Sequence, residues 1–481
     1  MSASGARELW SGLGLIAPLE ARLSGALPAR VGGVSIDTRT LEPGDLFVAI
    51  KGDAHDGHDF VRAAFEKGAA AAVVAEERSD ALRGAGSLYV VRDTLRALEG
   101  LGRAARARSK ARIVAVTGSV GKTSTKETLR VVLGRFGETH ASAASYNNHW
   151  GVPLTLARMP SEARFGVFEI GMNHPGEILP LVGMVRPQLA IVTAIAPVHL
   201  EHMGSIEAIA DAKAEIFSGV VKGGGAVVPR DTPMFERLVA AAKASPVGHV
   251  VSFGEHEKAD ARLIDYAAEG EGSLVRASIL GRTIGYKLGA PGRHQALNSL
   301  AVLVAARATG CDLDEAAAAL ADARPAKGRG ARETLAHADG AITLIDEAYN
   351  ANPTSMRAAL ALLAQTEPGA KGRRIAALGD MLELGPQSAD MHRDLVDALE
   401  FGKVDLLFAA GPMMKHLFDA APAAMRARWA ERAADIEAPL AEALRAGDVV
   451  MIKGSNGSRM GPVVSALQKR FQRPAVAAGE G

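Results

Sequence analysis

The sequence predicts an α/β protein of three domains: a small α/β domain over residues 1–108, a central P-loop domain with a mostly parallel sheet over 109–324, and a C-terminal Rossmann-like domain over 325–481. Three observations predict it. A chain of 481 residues is too long for one ordinary core, since domains run to about 100–200 residues each. The apolar run Val114-Ala115-Val116 leads into a glycine-rich turn and then a helical pattern at 128–133, which makes a strand, turn and helix in the order that binds phosphate. In the last third, four short apolar runs each end in a polar or glycine turn, the rhythm of a doubly wound sheet, although no G-x-G-x-x-G is present.

In chain order, the first domain opens with a short helix, followed by strands around Val34 to Ile36 and Leu46 to Ile50, bounded by Asp37, Pro43 and Gly44. Asp56-Gly57-His58 forms a polar loop leading into a helix at 61–67. Residues 95–112 read as a basic helix with Arg103, Arg106 and Arg108, taken as a solvated face leading into the next domain. The runs at 165–170 and 189–195 are compact and apolar, as strands buried on both faces are. The turns that follow them, at Glu169 to Asn173 and His199 to Glu201, should meet the turn Gly118 to Thr123 beyond the carboxyl ends of the strands. Another strand follows Gly223-Gly224-Gly225, and a long Ala-rich helix begins at Gly292 and ends near Gly310. The third domain has strands at 342–346, 374–380, 406–411 and 449–454, and residues 474–481 read as a loose tail.

Composition narrows the function. With 55 Lys and Arg against 54 Asp and Glu, the net charge of +1 gives no reason to expect nucleic acid or an anionic membrane as a partner, and small anionic ligands remain open. The single cysteine, Cys311, excludes an intrachain disulfide framework and fits a reducing compartment. No signal pattern and no apolar run near the roughly 20 residues of a membrane helix is present, so a cytoplasmic protein without membrane insertion is expected.

The turn Gly118-Ser119-Val120-Gly121-Lys122-Thr123-Ser124 offers free backbone N–H groups, a helix dipole, a lysine charge and a hydroxyl able to ligate Mg²⁺. Its first glycine stands three residues before Gly121, closer than the usual phosphate loop requires. Glu169, ending a buried strand, is suited to hold Mg²⁺ opposite that loop, or to cap the strand end. His199 lies one strand over and is either structural or a second metal contact. Lys213 reads, by itself, as a helix-surface lysine. The loop from Asp346 to Met356 gathers Asp346, Tyr349, Asn350 and Asn352, which favours a polar ligand, although Asn-Pro alone is turn chemistry. Lys453 to Arg459 suits an anion or a solvated turn.

Together these residues resemble the ATP-dependent Mur ligases of peptidoglycan precursor synthesis, over nearly the whole chain. The resemblance is carried by Ser35-x-Asp37-Thr38-Arg39, Pro43 to Phe47 and Asp56-Gly57-His58 in the first domain. In the second it rests on Thr117 to Thr123, Asn147-Asn148, Gly151 to Pro153, Glu169-Ile170-Gly171, His199-Leu200-Glu201 and Ala212 to Phe217. In the third it rests on Asp346 to Met356, Gly379 to Gly385, His392 and Lys453 to Arg459. The shortened phosphate loop is the form this family uses.

The resemblance implies an N-terminal domain for a UDP-muramoyl substrate, a central ATPase, and a C-terminal domain that completes the ATP site and receives the amine. Asn352-Pro353-Thr354 lacks the arginine of the sibling that adds the third residue, which points to D-alanyl-D-alanine as the amine and a UDP-N-acetylmuramoyl-tripeptide as the acceptor. By resemblance, Lys122 contacts phosphates, Thr123 and Glu169 hold one Mg²⁺, and His199 and a carbamylated Lys213 serve a second. Gly118 to Ser124, Asn298, Arg329 and Asp346 then bind ATP. Ser35, Asp37, Thr38, Arg39, His58, Asn147, Asn148, Tyr349, Asn350 and Asn352 bind the other substrates. Gln295 and Pro229 stand where the family often has Asn.

The expected reaction is phosphorylation of the tripeptide carboxylate by ATP and displacement by the dipeptide amine, inside a site that closes through hinges near residues 108 and 325. A monomer is expected. The alternatives are a sibling ligase adding a single amino acid and a nucleotide-dependent binding or switch module.

Overall fold

The strand Arg112–Thr117 lies between Phe165–Glu169 and Leu189–Val192, parallel to both, in a computed structural model that describes residues 8–52, 54–143, 145–198 and 200–472. Alternate residues of these strands feed two separate cores. Val114, Val116, Phe165 and Ile191 pack under the helices Lys122–Gly134 and Arg293–Ala308, while Ile113, Ala115, Phe168 and Val192 face the opposite layer. That two-sided burial explains why the strands read as unbroken apolar runs.

The central sheet has nine strands, in the order Arg282–Leu288, Gly272–Ile279, Ala261–Glu269, His249–Gly254, Gly225–Pro229, Leu189–Val192, Arg112–Thr117, Phe165–Glu169, Thr139–Ala141. All neighbours are parallel except the first two pairings, where 261–288 forms an antiparallel meander. The third sheet has six strands. The four foreseen from the sequence lie together at its centre as Gly340–Glu347, Val449–Lys453, Arg374–Gly379 and Leu406–Ala410, all parallel. Ala331–His337 flanks them antiparallel at one edge and Arg426–Ala430 parallel at the other. The first sheet has five strands, Arg22–Ser24, Leu88–Val91, Ala71–Ala75, Leu46–Val48 and Val34–Ser35. The result is a three-domain, mostly parallel α/β architecture.

The two expected hinges differ. Near residue 108 the chain is locked rather than free. The helix Thr94–Arg108 packs on Gly151–Ala157, and Leu154 and Ala157 of the central domain sit inside the first domain's core. Trp10 Nε1 donates to Ala157 O at 2.9 Å, and Arg106 donates to Val185 O and Arg186 O at 2.7 and 2.9 Å. The Arg108 guanidinium lies 3.4 Å from the centre of the Trp10 ring. Arg106 therefore ties two domains together, Arg108 packs within the first domain on the ring of Trp10, and the reading of this helix as a solvated basic face is corrected for both. Bringing their stems against apolar surface while the heads find carbonyls or a ring is what long cationic side chains can do. Near residue 325 the connection is a loop in which Gly328 and Gly330 take φ of 75° and 91°, and among the described residues no buried apolar cluster spans the second and third domains. Among the described residues no helix is long and apolar enough to cross a membrane.

Candidate active site

The phosphate-loop turn is shaped by two glycines. Gly118 (φ +144°) and Gly121 (φ +86°) occupy conformations that side chains rarely adopt. A Cβ on Gly118 would fall 2.0 Å from Thr193 Oγ1, and one on Gly121 would fall 2.9 Å from Asn298 Nδ2. The turn is pinned from behind: Ser119 N–H donates to Ala194 O, Ser119 Oγ to Ala196 O, and Thr193 Oγ1 to Val120 O at 2.6 Å. Gly121 then starts the helix Lys122–Gly134 with no side-chain cap, so its first N–H groups face the crevice for an anion to take. Lys122 Nζ folds over the loop and donates to Gly118 O at 2.7 Å. Burial pushes this ammonium below its ordinary pKa; nearby Glu169 opposes the shift and Arg329 adds to it.

Because Glu169 pairs in register with Val116, its side chain emerges beside the start of that helix. Its carboxylate is 1 % exposed and accepts from Thr123 Oγ1 at 2.9 Å and from Asn147 Nδ2 at 2.7 Å. A hydroxyl and a carboxylate in contact on one wall are the hard oxygen donors that Mg²⁺ takes while keeping room for phosphate oxygens, so this pair fits that ion. Lys213 is not on a helix surface. It is 2 % exposed, its ammonium forms no ion pair or hydrogen bond with any described residue, and it is held well below its ordinary pKa by burial, with Lys122 adding to the effect. His199 lies outside the described residues. Among those described, no cluster of three His, Cys, Asp or Glu is arranged to hold a metal.

A crevice of about 590 Å³ runs from this loop to the third domain. Its walls include Ser119 to Ser124, Asn147, Glu169, Gln295 and Asn298 from the centre, with Arg329, Tyr349, Asn350, Asn352 and Lys453 opposite. Pro229 lines it as well. Arg329 lies with its guanidinium carbon 4.2 Å from the centre of the Tyr349 ring. Asp346 is underneath rather than in the wall. Its carboxylate accepts Gly328 N–H at 3.0 Å and Ala348 N–H at 3.1 Å, which fixes the loop bearing Arg329, and burial raises its pKa. Asn352 caps the helix Pro353–Gln365 in a reciprocal pair with Ser355. Lys453, a candidate anion contact in the sequence, spends its ammonium on Glu347 Oε2 at 3.2 Å and Asn350 O at 2.9 Å. It braces the polar loop from below. Neither Glu347 nor Thr193 stood out in the sequence, because each is a common residue at a strand end and only the fold brings them here.

The first-domain residues do not reach the crevice. Asp37 and Arg39 form a bidentate pair at 3.0 and 2.6 Å, Ser35 Oγ donates to Asp37 O, and Thr38 O accepts from Lys67. Arg39 is 87 % exposed, with its guanidinium held on Asp37 at the surface. His58 is buried with both ring nitrogens engaged: Nε2 accepts Ala75 N–H at 2.9 Å, which leaves Nδ1 to donate to Asp56 at 2.6 Å. Its ring holds a loop in place and presents no nitrogen outward. Asn148 Oδ1 accepts from Trp150 N–H and Gly151 N–H at the entry to the helix Gly151–Ala157, away from the crevice.

Comparison with known proteins agrees with this layout. Residues 30–120 match the catalytic-domain model of the Mur ligase family, residues 116–306 the Mur ligase middle domain, and residues 331–456 the Mur ligase glutamate ligase domain. The UDP-N-acetylmuramoyl-tripeptide--D-alanyl-D-alanine ligase of Rickettsia prowazekii is 31% identical over 90% of this chain and 95% of its own. The protein of that name from Escherichia coli is 34% identical over 91% and 93%. Among solved structures, MurF from Acinetobacter baumannii superposes with a TM-score of 0.81 at 28% identity, covering 96% of this chain and 99% of its own. MurF from Thermotoga maritima in complex with ADP superposes at 0.74 and 25% identity, covering 92% and 98%.

Proposed function

We propose that this chain, which belongs to the Mur ligase family, is the ATP-dependent ligase that joins D-alanyl-D-alanine to UDP-N-acetylmuramoyl-tripeptide to give the pentapeptide precursor. ATP and Mg²⁺ are its cofactors. The observation that carries the reading is a crevice in which a phosphate loop backed by Glu169 faces the loop of Arg329, Tyr349 and Asn350.

In this reading a carboxylate oxygen of the tripeptide attacks the γ-phosphorus of ATP, the bond to the β-phosphate oxygen breaks, and ADP leaves. The dipeptide's amine, having lost a proton, then adds to the carbonyl carbon of the acyl phosphate, and phosphate is expelled as the amide forms. Gly121 and the helix start cradle the polyphosphate, and Lys122 turns from Gly118 O to the transferred group. Arg329 approaches from the third domain. Its position depends on Asp346, which ties the loop, so Asp346 acts on the nucleotide through Arg329 rather than by contact. Thr123 and Glu169 would hold one Mg²⁺ and His199 with a carbamylated Lys213 a second, and the ions so held would neutralise charge at the phosphate oxygens. Burial lowers the pKa of Lys213 and so favours the uncharged nitrogen, the form that can add CO₂, which supports that assignment. Tyr349, Asn350 and Asn352 border the place of the incoming amine, and Ser35, Asp37, Thr38 and Arg39 with Asn147 lie on the side of the muramoyl nucleotide. The chain acts as a cytoplasmic monomer in domains 1–108, 109–324 and 325–481. Closure takes place chiefly at the glycine-bearing loop near 325, since the seam near 108 is packed like a core.

The test is an incubation with UDP-N-acetylmuramoyl-tripeptide, ATP and Mg²⁺, with D-alanyl-D-alanine or with single amino acids. ADP release and pentapeptide formation with the dipeptide alone support the assignment. Turnover with a single amino acid points to a sibling ligase, and ATP binding without amine-dependent turnover points to a switch module.

A further inference from the structure

Tyr266, on the strand Ala261–Glu269, lies outside every group of residues considered above. Its half-buried ring packs on the core beneath the helix Arg293–Ala308. The hydroxyl donates to Gln365 Oε1 at 3.1 Å, receives Gly292 N–H at 3.0 Å, and lies 3.5 Å from the donating Ser273 Oγ. A phenol offers one hydrogen and two lone pairs, and the two shorter contacts use the hydrogen and one lone pair, since Ser273 Oγ has Ala290 O nearer, at 3.3 Å. The two outer partners belong to the two sides of the crevice. Gly292, at φ +106°, begins the helix whose His294, Gln295 and Asn298 line the nucleotide side. Gln365 ends the helix that Asn352 caps on the acceptor side.

A second tie runs alongside. Arg332 donates to Gly270 O in the hairpin turn at 3.1 Å and to Thr366 Oγ1 at 2.9 Å. Between the two helices a small cavity of about 100 Å³ remains among Gly292, His294, Ala358 and Leu362, so close apolar packing does not fix their separation at this point.

We propose that Tyr266 is a positioning residue for ligation: its hydroxyl sets the spacing between the nucleotide-side helix 293–308 and the acceptor-side helix 353–365, and so the alignment of the activated carboxylate with the amine. This rests on the ligase reading of the crevice. Alignment of two reactants is sensitive to shifts of an ångström or less, so a remote hydroxyl can matter to rate.

Tyr266→Phe keeps the ring and deletes only the hydroxyl. Steady-state assay of dipeptide-dependent ADP release should show kcat about tenfold lower and KM for the dipeptide raised severalfold, by loss of alignment. Gln365→Leu should do the same, and the double variant should be no worse than either single one. Unchanged kinetics in Tyr266→Phe, a fall in kcat with KM untouched as a smaller folded fraction would give, or losses that multiply in the double variant would each overturn the proposal. Hydrogen exchange gives a readout that needs no turnover. Segments 290–297 and 356–366 should both exchange faster in Tyr266→Phe, and unchanged exchange in either overturns the coupling. A parent protein that releases no ADP on dipeptide addition would instead sink the ligase reading, leaving exchange alone to decide whether Tyr266 links the helices.

Discussion

The guanidinium of Arg329 and the ring of Tyr349 are stacked across the third-domain wall of the crevice, 4.2 Å from carbon to ring centre. A residue expected at the phosphates and a residue expected at the incoming amine thus share one contact. Arg329→Lys keeps the charge but loses the guanidinium over the ring, and should lower kcat about two- to fivefold, the scale of a cation–π contact at an exposed ring. Tyr349→Phe, which keeps the stack, should retain most activity, while Tyr349→Ala should impair the ATP-dependent step as well as dipeptide binding. Steady-state kinetics with each substrate varied in turn checks this; equal effects of Phe and Ala at position 349 would count against a role for the stack.

Glu169 sits between two donors, Thr123 Oγ1 and Asn147 Nδ2. Glu169→Gln preserves the shape and removes the charge a cation needs. Turnover should fall at least about a hundredfold, in line with loss of a fixed electrostatic element at a reacting phosphate, with the melting temperature little changed. Retained turnover at saturating Mg²⁺ would remove Glu169 from the metal site.

For Lys213, which is buried and unpartnered among the described residues, Lys213→Ala should abolish turnover, and acetate or formate should restore part of it by standing in for a carbamate. An intact mass lacking the carbamate under CO₂, together with no rescue, would assign the lysine a packing role instead.

Buried histidines set a direction for acid sensitivity. His392 is buried, accepting Met381 N–H at Nε2 and donating from Nδ1 to Ser388 O, and burial lowers its pKa from 6.5; Asp380 opposes that shift and His416 adds to it. A histidine with a depressed folded pKa takes up protons more readily when unfolded. Its contribution is therefore complete above pH 6.5 and is lost as pH falls from there through the lowered value. His140, also lowered by burial, acts in the same sense. Melting temperature should drop between pH 7 and 5, and His392→Asn, though less stable throughout, should lose less over that interval. A parallel pair of curves would contradict the assignment.

How much of this could be read beforehand depends on what kind of signal a residue leaves. The parallel strands at 112–117, 165–169 and 189–192 were legible because burial on both faces makes them uniformly apolar, and the two glycines at 118 and 121 because their backbone geometry admits little else. The meander at 261–288 was not, since strict βα alternation was assumed, although every second residue of Gly272–Ile279 tends to be buried and Gly270 and Gly281 mark its turns. Polar residues were the least legible. Asp346, His58, Asn352 and Lys453 announce hydrogen bonding by type, but whether each faces a ligand or its own backbone depends on the tertiary path. All four spend hydrogen-bonding groups on the protein itself. The basic helix ending at Arg108 misled for the same reason, because charge alone does not reveal that a ring and two carbonyls await it.

The most direct measurement follows an oxygen atom. Tripeptide nucleotide labelled with ¹⁸O in the carboxylate that accepts the dipeptide should deliver one labelled oxygen to the released phosphate for each pentapeptide formed, because the carboxylate oxygen bridges to phosphorus before the amine displaces it. Pentapeptide formed with unlabelled phosphate would contradict the acyl-phosphate account.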